Sequence, residues 1–72
     1  MRHDLSKMIH TVEVTKFIVK ESDYKIEPDD ALDMFRASHI YKCLLDDESG
    51  LYGESSLYIY SLFKEEQSEV AD

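Results

Sequence analysis

Two glycines and one proline in 72 residues leave this chain few places to reverse direction sharply. A sheet of several short strands needs a tight turn between each pair, usually built on such residues. Helices need far fewer. The chain is therefore expected to be all-α, a compact bundle of about four short helices. It reads as a single domain over residues 1–72, frayed from about 67 onward. Its hydrophobic fraction of 43% is above that of a disordered chain. A chain this short buries only ~60% of the surface it exposes when unfolded, which leaves little core to give up to a deep pocket.

Apolar spacing supports helices in four places. From Leu5 to Glu21, the residues Leu5, Met8, Ile9, Val12 and Val19 form one helical stripe. Val14, Phe17 and Ile18 fall outside it, so this helix is apolar on two sides. The stripe is expected to face the core; the second face either makes the helix central in the bundle or meets a partner. A strand over Thr11–Thr15 is the competing reading, because those residues are β-branched and alternate. Pro28 suits a first helical position, where its missing N–H has no partner to lose. Asp29, Asp30 and Asp33 put negative charge near the positive end of that helix, and Ala31, Leu32 and Phe35 form its inward stripe. Ser38 is the expected N-cap of a short helix from His39 to about Leu45, which ends before Asp46-Asp47-Glu48. Gly50 is a candidate left-handed terminator. Leu51-Tyr52-Gly53 reads as a loop tucked beneath the domain. Ser55 or Ser56 caps a last helix through Leu57, Ile59, Leu62 and Phe63, with Tyr58-Ile59-Tyr60 as its strand alternative.

Charge narrows the function classes. Sixteen acids against eight bases give a formal net charge of −8. Nucleic-acid affinity rests largely on Lys and Arg, so direct nucleic-acid binding by this chain alone is not expected. A helix–turn–helix regulator built on Ala31–Leu45 meets the same objection, since its second helix offers only Lys42 as a base. No apolar run approaches the ~20 residues of a membrane helix, and no signal-peptide core follows the N-terminus, so no membrane role is expected and the location expected is cytoplasmic. A surface at −8 attracts a basic protein face and speeds encounter with it.

No catalytic residues, cofactor or metal are expected. The acids of residues 27–33 and 46–48 lack the ligand spacing of a calcium loop. His39 and Cys43 stand four apart, at a spacing that suits two zinc ligands, but no other two ligands are fixed beside them. Glycine-rich phosphate loops and nucleophile elbows are absent. The five tyrosines are more informative. Tyr58 and Tyr60 lie ~200° apart on a helix and cannot both face inward. Tyrosine is enriched at interface hot spots. The candidate partner-binding set is thus Val14, Phe17, Ile18, Asp29, Asp30, Asp33, Tyr58 and Tyr60.

The order of features also resembles a known family. A first helix is followed by ALDMF (Ala31–Phe35), IYKCLL (Ile40–Leu45), LYG (Leu51–Gly53) and a last helix. This resembles a bacterial family of small helical proteins of unknown function, often encoded beside ADP-ribosyltransferase-like proteins. The matching positions are Leu32, Met34, Phe35, Ile40, Tyr41, Leu44 and Gly53, within about residues 8–66. Where the family has a Leu-His pair before the loop glycine, this chain has Leu51-Tyr52. The resemblance implies an antitoxin-like or regulatory partner of a larger enzyme and carries over no catalytic residues. The function expected is a small acidic interaction module that occludes a partner with a basic surface, such as a toxin enzyme. A homodimeric helical scaffold is the alternative.

Overall fold

A computed structural model describes residues 2–70, with side chains from 4 to 68. Four α-helices account for most of the chain: α1 (Arg2–Glu21), α2 (Pro28–Arg36), α3 (His39–Leu45) and α4 (Ser56–Val70). Two single 3-10 turns, Asp47–Ser49 and Leu51–Gly53, join α3 to α4. No strand occurs among the described residues. The radius of gyration is 11.7 Å, close to the ~11 Å expected of a folded chain this long.

Local chemistry accounts for each boundary. The β-branched run in α1 is helical, and within it Thr11 and Thr15 donate their hydroxyls to the carbonyls of Lys7 and Thr11, one turn back, each at 2.7 Å. After α1 the chain turns through Asp23 and Tyr24, both left-handed at φ 60° and 63°. Pro28 opens α2 with Asp29 and Asp30 in its first turn. Ser38 is buried and acts twice. Its hydroxyl donates to the Phe35 carbonyl at the end of α2 and accepts from the Tyr41 N–H at the start of α3. Gly50 ends the first 3-10 turn at φ 68°, where a Cβ would be strained. Ser55, rather than Ser56, caps α4, accepting from the Tyr58 N–H at 3.1 Å. Expected fraying from residue 67 meets a helix that continues to Val70; residues 71 and 72 lie outside the described residues.

The core sits where α1, α2 and α4 converge, with α3 and the 3-10 turns closing one side. Phe35, Leu44, Ile59 and Val14 are fully buried, and Ala31, Ile18, Phe63, Leu51 and Tyr60 join them. Aromatic rings hold its centre. Phe35 meets Tyr41 and Phe63 edge-on at 5.3 and 5.7 Å, and Phe17 lies 5.3 Å from Tyr60.

This core reverses the expectation for α1. Val14 is fully buried and Ile18 is 5% exposed, while Leu5, Met8, Ile9 and Val12 are 62%, 65%, 48% and 52% exposed. Of the expected inward stripe, only Val19 packs against the core. The two apolar faces lie about 180° apart on the helix, and only one can meet α2 and α4.

Candidate interaction face

The outward stripe of α1 is the most unusual surface on the molecule. Leu5, Met8, Ile9 and Val12 follow i, i+3, i+4, i+7 spacing, so they stand in one row. Three open depressions follow that row. The first, about 380 Å³, is lined by Leu5, Met8, Ile9, Val12, Glu13 and Lys16. In the second, about 360 Å³, Val12, Thr15 and Lys16 meet Pro28, Asp29 and Leu32 of α2. The third continues past Val19 and Lys20 to Tyr24 and Pro28. Lys16 borders all three, so they form one groove along α1 and the start of α2. The groove is apolar along its floor, with Lys16, Lys20, Glu13 and Asp29 at its edges. The largest apolar patch on a soluble monomer is often functional.

The opposite face of α1 is pinned by polar contacts as well as by the core. Lys7 is 8% exposed; its Nζ donates to the Leu45 carbonyl at 2.8 Å and to Asp47 Oδ1 at 2.6 Å. The hydrogen bond to Asp47 holds the Lys7 ammonium above its usual pKa of 10.5, against the opposing effect of burial. Its Nζ also lies 5.8 Å from the centre of the Tyr52 ring. One turn on, His10 ties α1 to the start of α4. Its Nε2 is 2.9 Å from the Tyr52 carbonyl and its Nδ1 is 2.6 Å from Ser56 Oγ. Ser56 in turn donates to Glu13 Oε1 at 2.9 Å. Ser56 Oγ thus bridges the His10 ring and the Glu13 carboxylate. These contacts fix the rotation of α1 about its axis, and that rotation turns the row from Leu5 to Val12 outward.

Ser56, His10 and Glu13 are also the residue types of a hydrolytic triad, but their arrangement is that of a pin. Ser56 is 8% exposed and gives its proton to the carboxylate. Neither Ser56 nor His10 lines any of the three depressions. No group of three His, Cys, Asp or Glu side chains among the described residues is placed to hold a metal ion. His39 is exposed and Cys43 is half-buried with a free thiol.

The residues singled out from the sequence divide into two groups. Val14 and Ile18 belong to the core, and Phe17 is half-buried against the Tyr60 ring, so these three do not form an outer face. Tyr60 is 8% exposed; burial, with the nearby Glu21 charge, holds its hydroxyl above the usual pKa of 10.0. Tyr58 is the outward one of the pair, at 49%. Asp29, Asp30 and Asp33 are all exposed on α2, and Asp29 borders the groove. Sequence reasoning missed the face itself. The visible signal was a helix apolar on two sides; what it lacked was the choice of side.

No family model matches the chain, and neither the curated proteins nor the solved structures include a detectable relative. Among the described residues no helix is long and apolar enough to cross a membrane.

Proposed function

We propose that this chain is a protein-interaction module whose docking face is the groove along α1 and the start of α2. One observation carries the reading: four large apolar side chains in a single helical row are each about half exposed or more, on a chain that packs a complete core without them. A row at this spacing is what an amphipathic helix presents to another helix. The mechanism is coverage. Docking removes the row from water, and the molecule's bulk then blocks whatever lies behind the contact. An antitoxin-like or inhibitory role, as the family resemblance implies, would use this face for that purpose. Acids at Asp29, Asp30 and Asp33 beside the groove would favour a partner with basic residues there.

A photo-crosslinking benzophenone amino acid at Val12 tests the reading in the cells that make the protein. It is expected to trap a protein adduct, while the same group at Glu65, exposed on α4, traps far less. Equal labelling at both positions, or none at either, would overturn the docking face.

A further inference from the structure

We infer that the occupant of the α1 groove is a second copy of this chain, docked antiparallel through the same row. This rests on the docking reading above. Three observations point to it.

The first is where the charge lies. Around the outward row of α1, the exposed Asp4 and Glu13 are offset by the exposed Lys16 and Lys20, whereas the chain as a whole carries −8. Self-association through any acidic surface would bring two strongly negative faces together. The outward face of α1 lets two copies meet without that repulsion.

The second is self-complementarity. The row runs from residue 5 to residue 12, so its midpoint falls between Met8 and Ile9. In an antiparallel pair about that point, Leu5 faces Val12 and Met8 faces Ile9 of the second copy, and the reverse. Every apolar side chain of the row meets another, as a two-fold interface requires. Asp4 and Glu13 sit on opposite flanks of the row. Like flanks meet in an antiparallel pair, so these two acids stay apart, and Glu13 is already bonded to Ser56.

The third is area. At the exposures given above, the four side chains present on the order of 400 Å² of apolar surface, the size of the largest patch on a typical monomer, which is often functional. Two copies cover twice that. With the flanking Asp4, Glu13 and Lys16, the total reaches about 1,000 Å², the lower end for a specific interface. The dimer is therefore expected to form in the micromolar range rather than to be obligate.

Sedimentation equilibrium of the full chain across the micromolar range tests this. The apparent mass should rise from 8.4 kDa toward twice that value. Ile9→Asp should stay at 8.4 kDa at every loading with an unchanged far-UV circular dichroism spectrum, whereas Met34→Asp, on exposed α2 surface, should still dimerise. A wild-type mass fixed at 8.4 kDa overturns the inference, as does a dimer that survives Ile9→Asp. The Val12 crosslink then separates the two levels. With the chain monomeric, an adduct to a different protein leaves the docking face standing and removes only the second copy; no adduct removes both.

Discussion

Phe35 and Ile9 are both large apolar residues on helices, and they do opposite work. Phe35 is fully buried between Tyr41 and Phe63, so cutting it to Ala removes a ring from the centre of the core. That should cost ~3–5 kcal/mol. A domain of this size is stable by only ~4–10 kcal/mol, so Phe35→Ala should be near or past the point of unfolding. Ile9→Ser touches no core contact and should change the unfolding free energy of the dilute monomer by less than ~0.5 kcal/mol. Urea titration of both variants checks the contrast. A large loss from Ile9→Ser would show that its row is part of the core after all. The same contrast explains why hydrophobicity alone misassigned Val14 and Ile18. Nothing in a side chain's own chemistry says whether its neighbour will be Phe35 or water.

Elements in this fold are short, and their ends are stabilised by other elements. α3 has seven residues, too few to be stable alone. Its start is capped from within by Ser38 and from outside by Glu66 of α4, whose carboxylate accepts from the His39 and Ile40 N–H groups at 2.8 and 3.0 Å. A carboxylate at a helix N-terminus satisfies two orphan donors and opposes the helix dipole. Glu66→Ala should therefore cost ~1 kcal/mol, comparable to the loss of an N-cap. Amide hydrogen exchange should speed up most at residues 39–41, with α1 little changed. If protection there is unaffected, the cap contributes nothing to α3. Ser38 was visible in the sequence as a cap because the signal is local. Glu66 was not, because it lies 26 and 27 residues from the groups it serves.

Across the whole molecule, two groups link stability to alkaline pH. Lys7 is held charged above 10.5, chiefly by its hydrogen bond to Asp47, and Tyr60 is held neutral above 10.0, chiefly by burial. Both keep their proton more tightly when the chain is folded. What each contributes is complete below its unfolded value and is lost as pH rises through the folded one. The melting temperature should be insensitive to these groups near neutrality and decline as pH rises above about 10. Absorbance at 295 nm should show a late-ionising component that Tyr60→Phe removes. A titration that Tyr60→Phe leaves unchanged at its alkaline end would mean that Tyr60 is not shielded.

Sequence alone determined the all-α class and most helix boundaries. Pro28, Ser38, Gly50 and the acids at residues 46–48 act over one or two turns, and local spacing carries their signal. It also determined that α1 is apolar on two sides and that Tyr58 and Tyr60 must part. Only the tertiary structure decided which side of α1 went inward. That choice was made by contacts far along the chain: Lys7 to Leu45 and Asp47, His10 to Tyr52 and Ser56, and Val14 and Ile18 within the core shared with Phe35 and Ile59. Burial depends on which neighbours arrive, and periodicity along one helix holds no information about them.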